Sequence, residues 1–245
     1  ISGQYNVAIG QSALGANTTG VSNVAVGNSA LIHSTTAAYN TAIGLDALAY
    51  TTTGNYNLGM GYRALYYNTT GVSNVALGGT SLFENTTGNQ NIAIGISTLA
   101  LNTTGNSNVA VGVTALYSNT TGGNNSALGQ DALRNNTTGA NNVATGRDAL
   151  YSNTASNLTA VGYQSLYSNT TGTLNTAVGY QALKANTTGS VNTAKGHEAL
   201  LSNTTGSYNT AIGDRALYSN TTANENTTIG NMALYFNTTG TSNSA

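Results

Sequence analysis

The sequence contains no cysteine and no proline, and charged residues make up only 5% of its 245 residues. Without cysteine, no disulfide can staple the fold, and redox compartment is left open. Without proline, every segment can donate its full set of backbone N–H groups, as strands internal to a ladder require. Six basic and seven acidic residues leave a net charge of −1. Bulk electrostatics therefore give the chain no attraction to nucleic acid or to an anionic membrane. No apolar run approaches the roughly 18 residues of a membrane span, so no membrane insertion is expected within this segment. Asn, Thr, Ser and Gly must supply the solubility that charge usually provides.

What the sequence does have is one 17-residue unit, Asn-Thr-Thr-Gly-x-x-Asn-x-Ala-x-Gly-x-x-Ala-Leu-x-x, repeated along its length. Its glycine recurs from Gly10 to Gly230 in fourteen copies, with a one-residue deletion near 155–159. A leucine follows each of these glycines four residues later. A period this short is too small for a helical hairpin repeat and fits one coil of a β-solenoid. The fold class expected is all-β, a parallel β-solenoid of about fourteen 17-residue coils spanning 1–245 as a single repetitive segment. The chain opens and closes inside repeats, and is expected to be a fragment of something longer.

Within a coil, Asn23-Val24-Ala25-Val26-Gly27 alternates as a strand does, with two β-branched residues on one side and Asn, Ala and Gly on the other. A second short strand is expected over Asn28-Ser29-Ala30-Leu31, followed by the Asn-Thr-Thr-Gly turn. The leucine column (Leu14, Leu31, Leu48, Leu116, Leu217) reads as the structural core. Each buried leucine contributes about 1.5–3 kcal/mol. The asparagine column (Asn23, Asn40, Asn57, Asn74, Asn91) reads as a ladder of amides bonded from rung to rung; turn residues tolerating unusual dihedrals are the alternative. The glycine column marks a positive-φ corner or a close backbone approach.

Most of the thirteen charges fall after the glycine or just after the leucine, and Lys195 alone lies in the Asn-x-Ala-x-Gly strand. That strand is neutral on both sides, whereas a lone solenoid needs only one buried face. With Val and Ile lining the interior, the small side (Ala25, Ala42, Ala93, Ala110, Ala211) becomes the candidate interface with another chain. The reverse assignment is also open, and either one predicts a homo-oligomer with closed symmetry.

Ser22-Asn23-Val24-Ala25-Val26-Gly27, Gln90-Asn91-Ile92-Ala93-Ile94-Gly95 and Asn209-Thr210-Ala211-Ile212-Gly213 resemble the head repeats of YadA-like trimeric autotransporter adhesins, and related phage tail-fibre-type repeats. The resemblance implies a left-handed parallel β-roll, a homotrimeric fibre and an extracellular place, on a cell-surface appendage or a virion. The chain departs from those repeats by a longer coil, through the added Asn-Thr-Thr-Gly turn.

No catalytic constellation, cofactor site or metal site is evident. His33 and His197 lie in distant repeats; Asp131 and Asp148, one rung apart, are the one acid pair, with Arg147 beside them. An enzyme is not expected. The Asn-Thr-Thr turns match the glycosylation acceptor pattern, making Asn17, Asn68, Asn85, Asn102 and Asn119 candidate glycan sites; a side-chain cap of the turn is the competing role. Tyr66, Tyr117, Tyr151, Tyr167, Tyr218 and Tyr235 follow the leucine and should stack, Tyr151 and Tyr167 best of all. The function expected is a structural fibre segment, shaft or head, with the chain itself as partner. Adhesion along the rod to a surface glycan or host receptor is the alternative. Ice binding is less favoured, because adjacent threonines of a strand face opposite ways.

Overall fold

The computed structural model describes residues 3–245, and these hold β-strands and turns but no helix. They divide into two compact units, one running to Asn124 and one spanning Asn125–Ala245. The first unit contains β1 (Val7–Ile9), β2 (Val24–Val26), β3 (Thr41–Ile43), β4 (Leu58–Met60), β5 (Val75–Leu77), β6 (Ile92–Ile94) and β7 (Val109–Val111). The second contains β8 (Ser126–Leu128), β9 (Val143–Thr145), β10 (Thr159–Val161), β11 (Thr176–Val178), β12 (Thr193–Lys195), β13 (Thr210–Ile212) and β14 (Thr227–Ile229). Within each unit, successive strands pair in parallel and in register. Val24 meets Thr41, Ala25 meets Ala42 and Val26 meets Ile43, as the repeat dictates. Each unit is a parallel β-solenoid.

Each coil carries one strand of three residues, not two strands. The segment after the glycine is a chain of tight turns, because its backbone repeatedly takes positive φ. Ser29 has φ 57° and Leu31 has φ 51°, and the same positions do so in every coil. Its N–H groups alternate between local and rung bonds: Leu14 N–H reaches the Ala30 carbonyl (3.0 Å), whereas Gly15 N–H turns back to the Ser12 carbonyl (3.1 Å). Positive φ explains why this column is always leucine. A β-branched side chain is a steric outlier there, whereas leucine branches one carbon later.

Leu31, Leu48, Leu116 and Leu217 are fully buried, and Leu14 nearly so. The candidate interface alanines are buried as well: Ala25, Ala42, Ala93, Ala110 and Ala211 have no exposed surface within their own coils. They are core residues, so the interface assigned to them is withdrawn. The repeat leucine is the one large apolar side chain inside most coils, and alanines and the ladder asparagines fill the remainder. Two coils depart from alanine in this column, with Gly59 and the fully buried Thr228; at Gly59 an added Cβ would lie 3.2 Å from Leu48 Cγ, so that rung is tight even for alanine. The Val and Ile side chains flanking each alanine point outward, as strand alternation requires.

The repeated glycine is required twice over. Gly61 has φ +137°, and an added Cβ would stand 2.6 Å from the Gly78 carbonyl oxygen of the next rung. In the second unit, the one-residue deletion falls in a turn. Thr154-Ala155-Ser156 lacks one residue of the usual turn, and β9 and β10 still pair, Val143 with Thr159.

Candidate functional site

Two asparagine ladders run inside the coils. In the first, the Asn6 side-chain carbonyl accepts from the backbone N–H (2.9 Å) and side-chain amide (3.2 Å) of Asn23. Asn40, Asn57, Asn74 and Asn91 repeat this pattern, each on the asparagine one rung before it. Leu158, which has no amide, still donates its backbone N–H to Asn142 (3.0 Å). The second ladder is made by the turn asparagines, which the glycosylation pattern concealed. The Asn85 amide donates to the side-chain carbonyl of Asn68, Asn102 to Asn85, and Asn119 to Asn102, all at 2.8 Å.

One backbone carbonyl ties the two ladders together. Gly88 accepts from Asn74 (2.8 Å) and Asn85 (3.0 Å), and Gly105 accepts from Asn91 (2.8 Å) and Asn102 (3.0 Å). In the shortened coil, Ala155 takes the same place, accepting from Asn142 and Asn153 at 2.8 Å. Asn68, Asn85, Asn102 and Asn119 have no exposed surface, and Asn17 is 8% exposed. Their amide nitrogens are committed inside the coil, Asn17 to the Gly20 carbonyl at 3.2 Å. A glycan on any of them is incompatible with this fold, and these five sites are withdrawn as glycan acceptors.

The threonines of the same turn go the other way. Thr69 Oγ1 donates to the Thr86 carbonyl (3.0 Å), which also accepts the N–H of Thr69 (3.0 Å) and Thr70 (3.2 Å). The first threonine of each pair is thus held against the next rung, half-buried in most coils, and the second is exposed. Both lie outside the buried column because this segment is a bend and not a strand. Strand alternation therefore does not describe the pair; the two threonines differ in exposure within one bend.

The charges form short rung-to-rung pairs. Arg63 Nε meets Asp46 at 3.2 Å, Arg215 Nε meets Glu198 at 2.7 Å, and His197 Nδ1 meets Asp214 at 3.0 Å. The hydrogen bond to Asp46 raises the Arg63 pKa above its ordinary value, and that to Glu198 does the same for Arg215. Asp131 and Asp148 face separate arginines, Arg134 and Arg147, at 3.5 Å each. His33 packs on the Tyr50 ring (4.8 Å between centroids). Comparison with family models, curated proteins and solved structures finds no match.

Aromatic side chains stack as the repeat predicts. Tyr151 and Tyr167 lie 5.1 Å apart at 13°, and Tyr218 and Tyr235 lie 4.8 Å apart at 6°. In the first unit, Tyr50, Tyr66, Tyr67 and Phe83 form one cluster of stacked and edge-on rings. Each ring there covers part of its neighbour, so the cluster reads as packing between rungs.

The outward strand face differs between the units. In the first it presents Val7, Val24, Thr41, Leu58, Val75, Ile92 and Val109 in one column and Ile9, Val26, Ile43, Met60, Leu77, Ile94 and Val111 in the other. Thirteen of these fourteen are apolar, and none is charged. Met60 is 42% exposed and Ile94 38%. Exposed Leu45, Tyr62, Ile96 and Val113, just after the glycines, extend the apolar surface. In the second unit the first column is mainly threonine, from Thr159 to Thr227, and the second includes Thr145 and Lys195.

Proposed function

We propose that this chain is a structural segment of an extracellular or virion-borne fibre, a shaft or head, and that it assembles with copies of itself through the strand face of the first unit. The observation that carries this reading is the two-column apolar face of β1–β7, half-exposed to exposed in a single chain and free of charge. Contiguous exposed apolar surface of this kind marks an interaction site. A second copy presents the same rung spacing, so repeated columns meet repeated columns without change of register. The resemblance to trimeric adhesin repeats supports three chains around one axis. The interior supports a mechanical role: laddered amides and one leucine per coil hold each rung to the next.

The test is the mass of the assembly in solution. The wild-type chain is expected at a multiple of 24.7 kDa, three for the trimer. The double substitution Met60→Lys with Ile94→Lys places two ammonium groups on the apolar face and is expected to give the monomer. Thr193→Lys, on the corresponding face of the second unit, should leave the assembly intact. A wild-type monomer, or a double variant that stays assembled, removes the proposal.

A further inference from the structure

We infer that the Thr-Thr face of the coils binds ice. Seven successive coils of the first unit carry the pair, from Thr18-Thr19 to Thr120-Thr121, although the residues on either side vary. Asn17 gives way to Ser34 and Thr51, and Gly20 to Ala37, while both threonines persist. The second unit repeats the pair in every coil except Thr154-Ala155.

The fold accounts for the first threonine of the pair and not for the second. Thr69, Thr86 and Thr103 each donate Oγ1 to a carbonyl on the next rung. The second threonines, such as Thr70, Thr87 and Thr104, are exposed, and among the described residues their hydroxyls have no partner within the chain. Serine, asparagine or lysine would serve solubility there equally well. Threonine alone offers a hydroxyl and a methyl together at every rung. The one coil that departs from the pair has Thr154-Ala155, so no coil places a charge at either position.

The ligand must share the properties of this surface: uncharged, repeating at the rung spacing of about 4.8 Å, and able to meet a hydroxyl and a methyl at every rung. An ice plane has these properties. Each hydroxyl can bond one lattice water, and each methyl can sit in the cage of waters that surrounds apolar groups. The buried asparagine ladder directly beneath, Asn68 to Asn119, fixes the spacing of the turns, so water meets a pre-ordered array. The threonine pairs themselves offer neither the ring on which a sugar stacks nor the apolar area of a protein interface. The face is separate from the strand face assigned to self-association, so both can operate in one fibre.

The full chain is expected to show thermal hysteresis and to inhibit ice recrystallisation. The triple substitution Thr70→Lys, Thr87→Lys, Thr104→Lys, with the circular dichroism spectrum unchanged, should reduce both at least twofold, because it breaks the array of the first unit and leaves only that of the second. The double variant Met60→Lys with Ile94→Lys, on the strand face, should keep ice activity per chain even as it dissociates the assembly. If the lysine variant loses its fold, the corresponding Thr→Ser triple is read instead. It keeps the hydroxyls and removes the methyls, and is expected to lose most of the hysteresis. Wild-type protein that behaves like an inert protein overturns the inference, and so does a folded lysine or serine triple with full activity.

Discussion

The second asparagine ladder is broken in two adjacent coils, and mending it is a sharp test of the forces described above. Where other coils place asparagine, these two have Ser34 and Thr51. Neither side chain reaches the next rung, and three buried oxygens have no partner within the chain: Asn17 Oδ1, Ser34 Oγ and Thr51 Oγ1. Only one other described side-chain atom shares that condition, Thr228 Oγ1, which replaces an alanine of the core. The double variant Ser34→Asn with Thr51→Asn restores a continuous column from Asn17 to Asn119. It creates three rung bonds: to Asn17, between the two new amides, and from Asn68. Each net hydrogen bond contributes about 1 kcal/mol, so the first three coils should gain roughly 3 kcal/mol.

The single variants supply the control. Ser34→Asn alone can form only the bond to Asn17, and Thr51→Asn alone only the bond from Asn68, each contributing about 1 kcal/mol. The third bond exists only in the double, so the pair should show favourable coupling of about 1 kcal/mol. Because solenoids need not unfold in one step, local hydrogen exchange is the suitable assay. Amides of the first three coils should gain about a hundredfold protection in the double variant, since 1.4 kcal/mol is a factor of ten. Additive or weaker effects would show that these sites are not interrupted rungs of the asparagine column, and the ladder argument would fail with them.

Two further predictions test the backbone and the aromatic columns. Leu99 is fully buried at φ 52°, so Leu99→Ile should lower stability by about 1–2 kcal/mol more than Leu99→Met, the cost of a β-branch in the left-handed region; equal urea midpoints would refute this. Burial pushes the Tyr66 and Tyr167 phenols above the ordinary tyrosine value. Their contribution to stability is complete below that value and is lost as pH rises through the folded-state pKa; a melting temperature that stays flat while tyrosinate absorbance appears would contradict it.

How much of this could be read from residues alone depends on whether a residue type implies one environment or several. The period and the parallel register were legible, because a glycine and a leucine at fixed spacing leave little choice of architecture. The ladder of Asn23 and Asn40 was legible for the same reason, since identical amides stacked in register have each other as partners. Alanine was ambiguous. A small residue suits both a narrow interior and a close approach of another chain, and only the width of the coil decides between them. Leucine's positive φ was hidden, because nothing in a leucine side chain advertises that region. The clue was negative: fourteen repeats never substitute isoleucine or valine for it, although both are common immediately before and after the strand's alanine. The Asn-Thr-Thr turn misled most, because one tripeptide performs two unrelated tasks. Its asparagine turns inward and holds the rungs together, while its threonines turn outward at every rung. A motif that reads equally as an acceptor site or a turn cap is a cap, its amides bonding the carbonyl three residues on, and it is also the joint between the ladder that fixes the spacing and the surface that displays it. Ice activity should accordingly depend on the asparagines as well as the threonines, because an array is regular only when its foundation is.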